Sequence, residues 1–350
     1  MKKIVSIFLM LAVLMWTFAM ASCSGRKTSD ERGSDNTGND QNEQTNDTHE
    51  DAKDTTTIRI GGLKGPTSIG LVKVMEDNAN KTSVNSYEFT IAGSADELTP
   101  KLMQGQLDMA AVPANLASVL YNNTNGAIQM IAINTLGVLY IVEKGETINA
   151  MADLKGKTIY ATGKGSTPEY TLRYILAENG IDPDKDVTIE WKSEPTEVVA
   201  LLALADSGIA MMPQPYVTIA QNTISTLRIA VDLTKEWENL DNGSRLLTGV
   251  MVIREAFAKE HPSLVASFLQ EDQASAQYVN DNVEEAALLV EKFDIVKAAI
   301  AKKAIPHCNI TLIMGAEMKA IMQGYLQVLL DEKPAAIGGT LPSDTFYYVQ

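Results

Sequence analysis

Two short segments carry the residue types needed to grip a small polar or charged molecule, Leu63-Lys64-Gly65-Pro66-Thr67 and Gly163-Lys164-Gly165-Ser166-Thr167-Pro168-Glu169. Each follows a short apolar run and leads into helical periodicity, so each is a loop from a strand into a helix start. Glycines let backbone approach a bound group, Ser166 and Thr167 offer hydroxyls, Lys64 offers a cation, and Pro168 suits a first helical turn. The free amides and positive dipole end of such a start favour an anion, by about 0.3–1 kcal/mol when exposed. Glu169 supports a competing reading. With Ser166 as N-cap it stands at N3 and closes an ordinary capping box that uses the same donors. Lys64 has its own plain alternative, a solvated lysine in a βα turn.

Four further segments fall in the same place after strands: Pro113-Ala114-Asn115, Thr135-Leu136-Gly137, Glu194-Pro195-Thr196 and Gln214-Pro215-Tyr216. Tyr216 can stack on a ring, Asn115 and Gln214 can hydrogen-bond polar edges, and Glu194 suits an amine. Each alone fits a structural role equally well; their shared position makes them a set. The candidate ligand residues are therefore Lys64, Gly65, Thr67, Asn115, Thr135, Gly165, Ser166, Thr167, Glu194, Gln214 and Tyr216.

Enzymatic motifs fail on spacing. Gly156-Lys157-Thr158 has Met151 where a phosphate loop needs glycine, and it precedes a strand. His261 and His307-Cys308 lack a second ligand cluster, and no serine sits in a Gly-x-Ser-x-Gly elbow. Neither catalysis, metal nor cofactor is expected.

The elements that must position these loops come in two series. Strands are expected near 58–60, 87–91, 107–112 and 128–133, then near 158–161, 187–191, 209–212 and 227–231, with helices between them. After a strand at 247–253 the remainder reads as helical. Two α/β series and a helical tail imply an α/β fold of two doubly wound lobes joined by a two-strand hinge, with crossings near Thr135–Val142 and Thr248–Val252. The expected boundaries are 57–137 and 250–350 for lobe 1 and 138–249 for lobe 2. Ligands of open α/β sheets bind beyond the carboxyl ends of strands, so loops of both lobes would line one cleft.

The first 56 residues follow different rules. Lys2 and Lys3 precede an uncharged apolar run, Ile4–Ala21, which ends in Met20-Ala21-Ser22-Cys23. Residues 1–22 read as a signal peptide and Cys23 as a lipid-attachment site, resembling the lipobox of bacterial lipoproteins; an uncleaved membrane helix is the alternative. Residues 23–56 hold almost nothing apolar and read as a disordered tether. Without the two signal lysines, 27 basic residues face 44 acidic ones, a net charge of −17. That balance argues against nucleic acid as a partner. Cys308 would be the sole remaining thiol, so stability must come from packing.

The stretches Gly61-Gly62-Leu63-Lys64-Gly65-Pro66-Thr67, Gly163-Lys164-Gly165-Ser166-Thr167-Pro168 and Met212-Pro213-Gln214-Pro215-Tyr216, with the lipobox and tether, resemble a substrate-binding lipoprotein of an ABC importer. The likeness is to the branch handling nitrate, sulfonates, taurine and thiamine pyrimidine precursors, and it covers nearly the whole body from Ile58 onward. It implies the type II periplasmic binding protein fold, no catalysis or cofactor, a small ligand at the hinge, and a binding role for Lys64, Gly65, Ser166 and Thr167. It also implies an ABC permease with its ATPase as partner, attachment to the bilayer through acylated Cys23, an extracytoplasmic location and a monomer. The Gly163–Pro168 loop departs from the Ser/Gly-only form of some sulfonate binders. Two alternatives are a surface ligand sensor and an enzyme of the pyrimidine-synthase type. The latter resembles the same fold but depends on a cysteine-rich segment, whereas Cys308 stands alone here.

Overall fold

The computed structural model describes residues 54–349; the signal segment, Cys23 and the tether as far as Lys53 lie outside the described residues. The first series runs β1 (Thr57–Leu63), α1 (Pro66–Ile69), α2 (Val72–Ala79), β2 (Ser86–Ala92), α3 (Ala95–Met103), β3 (Met109–Pro113), α4 (Ala114–Asn123) and β4 (Ile128–Leu136). The second runs β5 (Leu139–Lys144), β6 (Thr158–Ala161), α5 (Thr167–Glu178), β7 (Thr188–Trp191), α6 (Pro195–Leu204), β8 (Gly208–Pro213), α7 (Tyr216–Thr223), β9 (Leu227–Asp232) and α8 (Leu233–Asn239). The chain then returns through β10 (Leu247–Arg254) to α9 (Glu255–Glu260), α10 (Pro262–Asp281), α11 (Val283–Lys292), α12 (Ala298–Ala304), β11 (Ile310–Ile313) and α13 (Gly315–Glu332).

Two sheets result. The first has the order β11-β4-β10-β3-β1-β2 and the second β7-β6-β8-β5-β9. In the first, β1 lies parallel between β2 and β3, and β10 lies antiparallel between β3 and β4. In the second, β6 is parallel to β7 and β8, and β5 is antiparallel to β8 and β9. Parallel pairs bounded by helices are what two alternating α/β series require.

Three expectations need correction. Leu139–Lys144, read as part of a crossing, is the strand β5; its first five residues are all buried, so its apolar run reflects cover on both faces. The segment after β10 is not wholly helical, because Ile310–Ile313 pairs antiparallel with β4 after a turn at Asn309, whose φ is 45°. The helix expected after Lys64 breaks at Gly70 and Leu71 into α1 and α2.

The first crossing is therefore short, Gly137-Val138 between β4 and β5, and it packs against the second. A Cβ on Gly137 would lie 2.3 Å from Thr234 Oγ1 and 2.9 Å from Leu246 Cδ2, an approach only glycine permits. One apolar core runs through both sheets: Val112 and Val250 of the first and Ile141 and Ile159 of the second share a cluster with Leu172, Trp237, Met322 and Tyr325. Trp237 is fully buried, packed at tilted angles between Tyr174 of α5 at 4.8 Å and Tyr325 of α13 at 5.7 Å, centroid to centroid. Separate clusters cover the outer faces, under α2 and α10–α12 on one sheet and under α6 and α7 on the other.

Two buried carboxyls of the first lobe behave in opposite ways. Burial alone would raise the Asp108 pKa, but Arg59 donates through its amide, Nε and Nη2 at 2.7–3.0 Å and Arg254 through Nη2 at 2.6 Å, which holds it below the usual range. Asp272 on α10 has an Oδ2 without a hydrogen-bond partner among the described residues, and burial pushes its pKa up to about 7. The folded chain therefore holds a proton that the unfolded chain releases near pH 4. The contribution of Asp272 to stability falls as pH rises from about 4 to 7 and stays low above that. Asp272→Asn is expected to flatten this decline, so its melting temperature relative to wild type should be higher at pH 8 than at pH 5. Parallel melting curves across that range would contradict the assignment.

Candidate functional site

At the end of β1, Gly62 brings the backbone so close to α1 that an added Cβ would stand 2.3 Å from Ser68 Oγ. The chain turns through Lys64 and Gly65, and Pro66 opens α1. Gly65 is buried, yet a Cβ on it would meet no atom within 4 Å, so it borders open space. Thr67 rests directly on β10, where a Cβ on Gly249 would lie 2.4 Å from its Cγ2. Its carbonyl accepts from Asn134 Nδ2 at 3.0 Å, and Asn134 Oδ1 accepts from Thr135 Oγ1 at 3.1 Å. Thr67 Oγ1 itself is buried with no partner among the described residues. These groups form a polar floor at the carboxyl ends of β1 and β4. Lys64 is exposed, and its Nζ donates to Asp294 Oδ2 at 2.7 Å.

The second-lobe loop is largely satisfied by its own chain. Ser166 donates to the Gly163 carbonyl through both its hydroxyl at 2.8 Å and its amide at 3.1 Å. Glu169 Oε2 accepts the Gly165 amide at 2.6 Å, one residue earlier than a capping box on Ser166 would place it. Donors that an anion would want are thus already used at this helix start. Thr167, 1 % exposed, donates to Asn115 Oδ1 at 3.2 Å and accepts from the Tyr325 hydroxyl at 3.4 Å, which joins α5 of the second sheet to α4 and α13. Gln214 is equally buried, and its Oε1 accepts from the Thr218 amide at 3.3 Å and hydroxyl at 2.9 Å, securing the first turn of α7 after the cis Gln214–Pro215 bond.

Tyr216 is where the two lobes meet electrostatically. Burial first, and the Glu194 carboxylate next, push its hydroxyl above the usual range, while the Lys64 ammonium pulls it down. One half-buried aromatic residue therefore feels both a carboxylate from its own lobe and a cation from the other. Glu194 is exposed at the start of α6, its nearest partner being the Thr196 hydroxyl at 3.4 Å. Lys64 and Glu194 are exposed, Gly65 borders open space and Tyr216 is half-buried, whereas Asn115, Thr135, Thr167 and Gln214 are turned to protein partners. Gly165 is exposed and Ser166 half-buried.

Sequence reasoning passed over Asn134 and Asp294. Asn134 interrupts the apolar run Ile131-Ala132-Ile133 inside a strand, a signal for a buried polar role; Asp294, at φ 54° between α11 and α12, gave none. Two sizeable hollows lie elsewhere. One of about 370 Å³ runs between α5 and α13 beside Tyr174, Glu178, Gln327 and Glu332, and one of about 310 Å³ lies beside Ile131, Leu269, Met314 and Tyr348. Neither gathers the ends of parallel strands, where α/β sheets present their ligand loops, so the candidate site is taken at the strand ends near Gly65 and Tyr216 rather than in either hollow. Among the described residues no group of three metal-ligating side chains converges.

A model of the NMT1-like family matches residues 53–292. No curated protein matches the chain. Among solved structures, an ABC transporter protein from Parabacteroides distasonis is 23% identical with a TM-score of 0.71, over 85% of this chain and 100% of that one. The alkanesulfonate-binding protein of Xanthomonas axonopodis pv. citri, bound to MOPS, is 17% identical with a TM-score of 0.64, over 83% and 96%. The periplasmic nitrate-binding protein of Synechocystis PCC 6803 is 16% identical with a TM-score of 0.55, over 75% and 74%. At these identities the likeness establishes a shared fold.

Proposed function

The chain belongs to the NMT1-like family, and on that premise we propose that it is an extracytoplasmic solute-binding protein that captures a small polar molecule between its lobes and delivers it to an ABC permease. The observation that supports this reading is the open space at Gly65 beside the buried, unpartnered Thr67 Oγ1 at the carboxyl end of β1, with Tyr216 of the other lobe feeling the charges of both Lys64 and Glu194. An aromatic platform with a few polar groups of both signs is a recognition surface, and it holds no nucleophile with an adjacent base. The structural neighbours that bind an alkanesulfonate or nitrate support a transport role.

The charge arrangement selects among ligand classes. Lys64 is paired with Asp294, and Glu169 and Gly163 occupy the donors at the start of α5, while Glu194 remains exposed. A flat amine-bearing ring of the pyrimidine type fits these groups better than a sulfonate or nitrate. Calorimetric titration with an aminopyrimidine, an alkanesulfonate and nitrate tests this. Saturable heat is expected with the aminopyrimidine; saturation only with the anions would overturn the ligand class, and none with any of the three would count against binding.

Acylation of Cys23 completes the reading, because a lipid on Cys23 and a polar tether would keep the body beside its permease. Metabolic labelling with a radioactive fatty acid is expected to mark the wild-type chain and leave Cys23→Ser unlabelled. Equal label in both would remove the anchor.

A further inference from the structure

We propose that the segment after α13 is a strap whose seating on the first lobe is linked, through the side chain of Asn115, to the position of α5 in the second lobe, beside the direct approach of Lys333 to the Tyr170 ring at 5.7 Å. The link belongs to the free protein and is measured without ligand, so it stands or falls apart from the binding role; only its effect on affinity rests on that reading.

The strap lies along α4. Asn115, Ser118 and Asn122, at spacings of three and four, share one face of that helix. Each donates to a strap carbonyl: Asn115 Nδ2 to Ala336 at 3.0 Å, Ser118 Oγ to Ile337 at 2.8 Å, and Asn122 Nδ2 to Ile337 at 2.9 Å and Thr340 at 2.8 Å. Gln129 Nε2 donates to the Thr345 carbonyl at 2.8 Å, and the Tyr348 amide to Met130 at 2.9 Å. Between these points Ile337 and Phe346 are fully buried. Gly338, at φ 85°, lets the strap turn so close that a Cβ would stand 3.2 Å from Asn122 Cβ.

Asn115 is the only one of these three donors whose other end reaches the second lobe. Its Oδ1 accepts from Thr167, the first residue of α5, and Thr167 in turn touches the hydroxyl of Tyr325 on the helix that leads into the strap. A primary amide has one acceptor and one donor end, so the strap carbonyl and the Thr167 hydroxyl fix its orientation together. Asn115 is 2 % exposed, and losing either partner leaves a buried polar atom unsatisfied. Movement of α5 away from α4 therefore weakens the seat of the strap, and release of the strap weakens the hold on α5, a reciprocity that linkage requires.

The test is hydrogen exchange on the ligand-free protein. Thr167→Val removes the hydroxyl, keeps the shape and does not touch the strap; Ser118→Ala loosens the strap and does not touch α5. In Thr167→Val, strap amides from Ala336 to Tyr348 are expected to exchange about fivefold or more faster, the lower range of linked equilibria. In Ser118→Ala, the amides of Glu169 and Tyr170 should speed up likewise. Thr167→Ser keeps the hydroxyl and should leave the strap at wild-type rates. Faster exchange confined to α5 in Thr167→Val, or to the strap in Ser118→Ala, would overturn the link. The second arm decides the matter even if Thr167→Val folds poorly.

Discussion

Tyr216→Ala is expected to weaken ligand binding by about 30-fold or more, the loss typical when a central aromatic contact worth at least about 2 kcal/mol is truncated. The ring is half-buried, lies against the cluster under α6 and α7, and feels the charges of both Lys64 and Glu194. Stability should change little by comparison, since Tyr216 is only half-buried and its neighbour Val217 anchors α7 in the core. Tyr216→Phe separates ring from hydroxyl. A loss within about threefold assigns the effect to stacking, at well under 1 kcal/mol for the missing hydroxyl. Titration calorimetry beside thermal melting reads both quantities. Unchanged affinity in Tyr216→Ala would move the ligand away from this ring.

The second large effect is structural. Trp237→Ala should cost about 3–5 kcal/mol, a large share of the ~5–15 kcal/mol that a folded chain possesses. Trp237 fills the core shared by both sheets, and its Nε1 donates to Ser244 Oγ at 3.0 Å, which pins the link from α8 to β10; the second crossing is this link, not Thr248–Val252, which lies within β10 of the first sheet. Removal of Trp237 therefore opens a cavity and unfastens the hinge at one stroke. Urea unfolding should show a markedly lower midpoint, and Trp237→Phe a smaller decrease. A midpoint within experimental error of wild type would mean that the two sheets do not depend on a common core.

Most of the fold could be read from hydrophobic periodicity because its strands and helices alternate with clear loop residues between them. The exceptions share a cause. Leu139–Lys144 and Ile310–Ile313 are short apolar runs whose strand character comes from partners distant in sequence, β8 and β9 for one and β4 for the other. Local pattern carries no record of such partners. The break between α1 and α2 was hinted at by Gly70, but helical spacing at Ile69, Val72 and Met75 hid it.

For the candidate site, surroundings were harder to read than residue types. The segments around Lys64 and Gly165 are loops as expected, but Thr135 lies within β4 and Asn115 within α4, and sequence could not show which polar groups face outward. Asn115, Thr167 and Gln214 carry suitable chemistry and are consumed by protein partners, whereas Glu194 and Tyr216, no more conspicuous in the sequence, remain available. The pairing of Lys64 with Asp294 spans 230 residues, and no local pattern could show that this cation already has a carboxylate partner.

Native mass spectrometry tests the central claim most directly. The purified protein and its Tyr216→Ala variant would each be incubated with a small-molecule extract of bacterial cells, desalted and weighed under non-denaturing conditions. The account predicts a wild-type species heavier by the mass of one small molecule, which appears free on denaturation, and no such species for Tyr216→Ala. A wild-type chain that retains nothing, or the same adduct at the same occupancy on both chains, would contradict it.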